Sequence, residues 1–209
     1  MKRIILVAIM VITMFTQAYA QFTIGPKAGL NISTICADDD ANDYRKYKLG
    51  ANIGVFGKYT INELFDIQSE IMYSQQGHKL EIDFLYEYDG NKYVEPEVKI
   101  LTHNLNVPLL LRFNIPVFRR LYIEAGPQAG FFLRDNYSSK DKQFEEELND
   151  SDIRFKTLDL QVIGGIGFDL GKNFSVNARY AHSLTSIYKD VDYKSRVFQF
   201  SLAYNLFQF

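Results

Sequence analysis

The sequence predicts an all-β fold, an eight-stranded antiparallel up-and-down transmembrane β-barrel with short periplasmic turns and long extracellular loops. Three observations predict it. An export segment at the N-terminus is followed by no apolar run long enough for a membrane helix, eight stretches alternate apolar with polar residues, and the connections between them alternate between short and long.

The chain opens with Lys2 and Arg3, then an apolar run from Ile4 to Phe15, then Ala18-Tyr19-Ala20. A basic start, a short apolar run and an A-x-A site make residues 1–20 a secretory signal peptide, with cleavage expected before Gln21 and residues 21–209 forming the barrel domain. The run is roughly a dozen residues, short of the ~20 that a spanning helix needs. No Cys lies near the cleavage site to receive a lipid. Cleavage removes two of the 23 basic residues and none of the 25 acidic ones, so the net charge moves from −2 to −4. An acidic chain argues against a nucleic-acid partner. Cys36 is the single cysteine, which excludes an internal disulfide and leaves zinc without a second thiolate. No cofactor is expected.

The first strand sets Phe22, Ile24, Pro26, Ala28, Leu30 and Ile32 against Thr23, Gly25, Lys27, Gly29 and Asn31, the period of two that a strand with unlike faces requires. The second sets Leu49, Ala51, Ile53, Val55 and Tyr59 against Gly50, Asn52, Gly54 and Lys58; the third sets Phe65, Ile67, Ile71 and Tyr73 against Asp66, Gln68 and Glu70. The fourth runs Leu101, Leu105, Val107, Leu109, Leu111, Phe113 opposite Asn104, Asn106 and Arg112, and the fifth Leu121, Ile123, Ala125, Ala129, Phe131 opposite Tyr122, Glu124, Gly126 and Gln128. In the sixth, Leu158, Leu160, Val162, Ile166 and Phe168 face Asp159, Gln161, Gly165 and Gly167. The seventh opposes Phe174, Val176, Ala178 and Tyr180 to Ser175, Asn177 and Arg179, and the eighth opposes Phe198, Phe200, Leu202, Tyr204 and Leu206 to Gln199, Ser201, Ala203 and Asn205. Each run is near the ~9–11 residues that cross a membrane at a tilt, and the count is even.

The connections are long at 33–48, 80–98, 134–156 and 185–194, and short at 60–64, 114–120 and 171–173. That asymmetry puts both termini on the periplasmic, short-turn side. A soluble lipocalin-like barrel has the same alternation with the apolar face inward. Two features favour the membrane: the polar face is crowded with Gly and Asn and carries few charges, and aromatics gather at strand ends. Phe22, Tyr59, Phe65, Phe113, Phe168 and Phe174 form an expected periplasmic girdle, and Tyr47, Tyr73, Phe131 and Tyr193 an outer one. The polar face is then the lumen. Lys27, Lys58, Asp66, Glu70, Arg112, Glu124, Asp159 and Arg179 meet there in a space that side chains fill, and they are expected to pair as a structural network, because an unpaired buried charge is costly. A porin is not expected.

Several segments carry a resemblance. Phe65 to Gly77 (FDIQSEIMYSQQG) is similar to the E-[LI]-x-Y-S-x-Q-G signature of the PorT-like outer membrane β-barrel family; Leu105-Asn106-Val107-Pro108-Leu109-Leu110-Leu111 resembles its L-x-[IV]-P-L-L-[LI] strand, Gly126-Pro127 its G-P step, and Ala178-Arg179-Tyr180 its A-R-Y strand. The resemblance implies the same barrel, outer membrane lipids around it, and envelope or secretion-machinery proteins as partners through the loops. It defines no catalytic residues. Glu70, Gln76, Pro108 and Arg179 match its positions and read as structural.

Chemistry is sparse elsewhere. His78, His103 and His182 lack metal-ligand spacing on one strand face; His103 falls on the lipid face, and His182 faces outward while Ser183 faces in, so those neighbours form no dyad. Asp38, Asp39, Asp40 and Asp43 crowd the first long loop, and Asp141, Glu145, Glu146, Glu147, Asp150 and Asp152 the third; clustered carboxylates are able to hold Ca²⁺ or Mg²⁺, but the first run lacks the spaced ligands and Gly of a calcium loop, and a solvated charge run is expected. The second, with Phe84, Tyr86, Tyr88 and Tyr93, alternates enough to extend its hairpin beyond the membrane. The expected function is a non-enzymatic envelope structural or interaction protein, or a secretion-associated subunit. A lipid-modifying barrel enzyme and a loop-borne adhesin are the alternatives. Phe209 fits the eighth strand's register only through a bulge; otherwise Leu206 is the last outward residue.

Overall fold

The computed structural model describes residues 22–37, 45–80, 85–88, 91–94, 98–118, 120–138, 156–187 and 193–209. The expected signal peptide and both acidic loop clusters lie outside these residues. The strands are β1 (Phe22–Ala37), β2 (Arg45–Thr60), β3 (Phe65–Leu80), β4 (Leu85–Tyr88), β5 (Asn91–Val94), β6 (Val98–Asn114), β7 (Leu121–Ser138), β8 (Leu158–Leu170), β9 (Phe174–Ser183), β10 (Tyr193–Tyr204) and β11 (Phe207–Gln208).

Sequential antiparallel pairing of β1, β2, β3, β6, β7, β8, β9 and β10 is closed by a β10–β1 ladder, so the sheet has no free edge. β11 continues β10 along β1, while β4 and β5 form a separate hairpin between β3 and β6. This is the eight-stranded antiparallel barrel that the alternation predicts. Following ladder partners around the wall from Ile32 leads through Phe198, Tyr180, Gly164, Ala125, Leu111, Ile67 and Tyr59 back to β1 at Phe22, ten residues before the start. Such a stagger tilts the strands and leaves an interior only wide enough for side chains.

The faces are inverted relative to a water-soluble barrel. Leu109, Leu111, Ile166 and Phe200 are each more than half exposed, whereas Lys27, Glu70, Arg112 and Arg179 are 3% exposed or less. The apolar band continues into the aromatics of the short-turn rim, where Phe65 and Phe113 rings lie 5.3 Å apart and Phe174 and Tyr204 4.9 Å apart. Local chemistry fixes the turns below it. Asn62 Oδ1 accepts from the backbone N–H groups of Leu64 and Phe65 at 2.9 Å, and Gly171 supplies the φ of +82° that the β8–β9 turn needs.

Two details differ from the sequence expectation, and a third decides between the alternatives open at Phe209. Most strands exceed the membrane-crossing length: β1, β2 and β3 have 16 residues, β6 has 17 and β7 has 18. β1 and β2 therefore extend into the expected 33–48 loop, and β7 into 134–156. The lumen is not wholly polar, since Phe56, Met72, Leu110 and Ile163 are buried on the inner face, and Leu110 and Ile163 pack with Ala181 and Val197. Finally, pairing with β1 passes from Lys27–Ala203 to Ile24–Phe207, which inserts one residue on the C-terminal side. That bulge turns Leu206 and Phe207 both outward and leaves Phe209 outward too, bonded through its backbone to Phe22 at 2.9 and 3.2 Å.

Candidate functional site

The lumen holds two charged belts. In the upper one, Glu70 of β3 accepts from Lys27 Nζ at 2.9 and 3.2 Å and from the Arg179 fork at 2.8 and 2.9 Å. Arg179 Nε donates to Glu124 Oε1 at 2.6 Å, and Gln68 Nε2 to Glu70 Oε1 at 2.6 Å. Two cations thus meet two carboxylates in a charge-neutral cluster, and the planar guanidinium satisfies its fork in one plane. Gly165 makes the Arg179–Glu124 contact possible. It sits between them on the ladder, and a Cβ there would fall 2.8 Å from Arg179 Cγ.

In the lower belt, Arg112 Nη2 donates to Asp169 Oδ2 at 2.5 Å, and its Nε lies 3.4 Å from Asp66 Oδ2 and 3.0 Å from Asn114 Oδ1. Asn114 Nδ2 in turn donates to Asp66 at 3.0 Å. The guanidinium lies 3.4 Å over the Tyr122 ring, a cation–π contact, and Tyr122 occupies the space that Gly167 leaves open. Lys58 stands within electrostatic reach of Arg112, Asp66 and Asp169. Asp169 and Asn114 each lie one residue beyond the stretches in which alternation marks a strand. Asp169 continues the inward parity of Asp159 to Gly167, so the signal was present one residue beyond the assigned strand.

Asp159 stands apart from both belts. It accepts from Gln161 Nε2 at 2.5 Å, Ser183 Oγ at 2.7 Å and Thr185 Oγ1 at 3.0 Å, neutral donors in place of a cation. Gln128 links to Gln161 at 2.6 Å. Above the upper belt a cavity of about 40 Å³ is lined by Gln76, His78, Asn104, Asn106, Phe132 and Asp159 among others, room for a few waters. A second cavity, about 10 Å³, lies against Lys27, Glu70 and Asn106 and is at the limit for one water. Asn106, buried between the two, has both side-chain polar atoms without a protein partner among the described residues.

The three histidines go to different places. His78 is buried on the inner face beside the larger cavity. His103 is outward, bonded to the Tyr73 hydroxyl and facing Asn136. His182 is outward and stacked on Tyr180 with ring centroids 6.4 Å apart. Among the described residues no group of three or more His, Cys, Asp or Glu is placed to hold a metal ion.

Comparison with known proteins agrees with this geometry. Residues 15–189 match the family model described as outer membrane protein beta-barrel domain. Among solved structures, Neisserial surface protein A superposes with a TM-score of 0.55 at 11% identity, over 88% of this chain and 97% of that one. The outer membrane protein OprG from Pseudomonas aeruginosa gives 0.47 at 13% identity, covering 91% and 96% of the two chains. Ail, the attachment invasion locus protein of Yersinia pestis, in complex with a heparin analogue, gives 0.46 at 16% identity, covering 92% and 100%. No curated protein matches the sequence.

Proposed function

Because the chain belongs to the outer membrane protein beta-barrel domain family and is an outer membrane β-barrel, we propose that it works without catalysis, as a rigid scaffold that meets other envelope proteins through its loops. The observation that carries this reading is the neutral upper belt: Lys27, Glu70, Glu124 and Arg179, each 3% exposed or less, occupy the lumen and bond one another across it. A barrel filled in this way is suited to presenting its rims and loops.

The finer reading is a PorT-like, secretion-associated subunit. Glu70 and Arg179 belong to separate matched motifs, 109 residues apart, yet meet in a two-bond ion pair at the centre of the lumen. That contact supports the resemblance at its structural core. Residues 1–20 act as the export signal, and the mass of the protein recovered from outer membranes should begin at Gln21. The secretion role is tested with a deletion strain assayed for secreted cargo and surface composition, expected to lose cargo and to regain it on complementation. Normal secretion in that strain sinks this role. An adhesive role has one observation in its favour, the β4–β5 hairpin, a two-stranded sheet separate from the barrel sheet and lying between β3 and β6 in the chain.

A further inference from the structure

The outward face is apolar through the membrane band, and where that band gives way toward the long-loop rim a buried, hydrogen-bonded polar group on the same face demands a reason. His103 points outward from β6, paired with Gln75 of β3 on one side and Arg134 of β7 on the other, and is only 4% exposed. Its Nδ1 bonds the Tyr73 hydroxyl, the two rings lie 5.8 Å apart, and Asn136 Nδ2 is 3.2 Å from its Nε2. With the amide donating to Nε2, the neutral ring carries its proton on Nδ1 and gives it to the Tyr73 oxygen. The Tyr73 O–H is then free to donate away from the ring. A bulge in the β6–β7 ladder, which leaves Leu133 as an extra residue, sets the exposed Arg134 on the same face directly across from His103.

What this patch offers is a set of donors: the Tyr73 O–H, the second N–H of Asn136 and the Arg134 guanidinium, which has no acceptor atom. Donors gathered around His103, with the positive charges of Arg134 and Lys48 acting on the same ring, suit an oxyanion, and a guanidinium fork matches the geometry of phosphate and carboxylate. The location selects the source. The patch lies toward the long-loop rim; the exposed Ile53 stands directly across from Tyr73 on β2, and the exposed Val55–Ile71 pair lies two residues further toward the short-turn rim, where the apolar band begins. We propose that Tyr73, Asn136 and Arg134 bind the phosphate of an outer-leaflet lipid whose acyl chains lie along Ile53, Val55 and Ile71, with His103 as the positioning residue that orients Tyr73 and Asn136.

The test uses the full chain folded in maltoside micelles, with lipid retention read by native mass spectrometry for diphosphoryl lipid A and for the same lipid stripped of its phosphates. The wild type is expected to retain the diphosphoryl form at least about tenfold better, as the loss of charge-assisted hydrogen bonds implies. Arg134→Gln combined with Tyr73→Phe should abolish that preference. His103→Phe should reduce it while leaving retention of the stripped lipid unchanged, and Lys172→Gln in the β8–β9 turn should keep it whole. Equal retention of the two lipids by the wild type overturns the proposal, and needs no variant to fold. So does a preference that survives the double substitution, or displacement of the lipid by millimolar inorganic phosphate, which makes the occupant a free anion.

Discussion

At the scale of single residues, the decisive feature is that Glu70 answers two cations at once. Glu70→Gln leaves Lys27 and Arg179 facing the single charge of Glu124, and breaking a buried pair in this way costs about 3–5 kcal/mol. The midpoint of urea unfolding in detergent should fall accordingly. Removing Lys27 as well, in the Lys27→Met, Glu70→Gln double variant, restores neutrality around Arg179 and Glu124, so the double variant should be more stable than Glu70→Gln alone. If the two losses simply add, the belt is not one coupled cluster. A second residue-scale prediction concerns space. A Cβ on Gly167 would fall 2.1 Å from Tyr122 Cζ, and Tyr122 is held under Arg112. Gly167→Ala should cost about 1–3 kcal/mol of unfolding free energy, and Tyr122→Leu introduced with it should return part of that loss. Which residues face inward was legible in the alternation of Lys27, Glu70 and Arg179, but which of them meet was not. Alternation assigns a face, whereas contacts 43 and 109 residues apart depend on the stagger around the wall, to which alternation is blind.

At the scale of elements, the sequence marks a strand only where its two faces differ. Inside the membrane band that contrast is strong, and all eight wall strands stand out. Above the band both faces are wet, as Thr34, Lys48, Arg134 and Asn136 illustrate, and the contrast fades although the ladder continues through them. The extra length of β1, β2 and β7 was therefore invisible. The opposite error arises where an apolar side chain points inward: Phe56, Leu110 and Ile163 directly follow Val55, Leu109 and Val162, so residue type alone does not say which member of each pair faces the lumen. The bulge before β11 was half legible, since an outward Phe209 required one; the structure adds that Asn205 forms it, with its N–H on the Asn173 carbonyl at 2.6 Å and its side chain on the Lys172 carbonyl at 2.9 Å. Among the described residues the β4–β5 hairpin pairs within itself and not with the barrel sheet. Replacing residues 81–97 by Asn-Gly joins the paired Leu80 and Val98 through a two-residue turn. Unfolding free energy should stay within about 0.5 kcal/mol of the parent, as for changes remote from the core. A larger loss would mean that the hairpin braces the wall.

At the scale of the whole molecule, the lumen is closed twice along its length. The upper belt joins β1, β3, β7 and β9 through Lys27, Glu70, Glu124 and Arg179; the lower joins β3, β6 and β8 through Asp66, Arg112 and Asp169, with Tyr122 of β7 beneath the guanidinium. The small cavity against the upper belt is at the limit for one water, so an ion arriving from the outer mouth meets bonded side chains and not solvent. Opening either belt alone leaves the other in the path, and resistances in series are governed by the larger. Wild-type protein in planar bilayers should therefore show no conductance steps. A variant with the upper belt reduced to serines at positions 27, 70, 124 and 179 should remain silent, and so should one with Asp66, Arg112, Tyr122 and Asp169 reduced in the same way. Only the combination should conduct, provided that heat-shifted gel mobility shows it still forms a barrel. Steps from the wild type would mean that the belts exchange partners fast enough to pass ions. Steps from either single-belt variant would mean that the other belt is not a closure, and that the rigidity assigned to this lumen rests on one cluster and not on two.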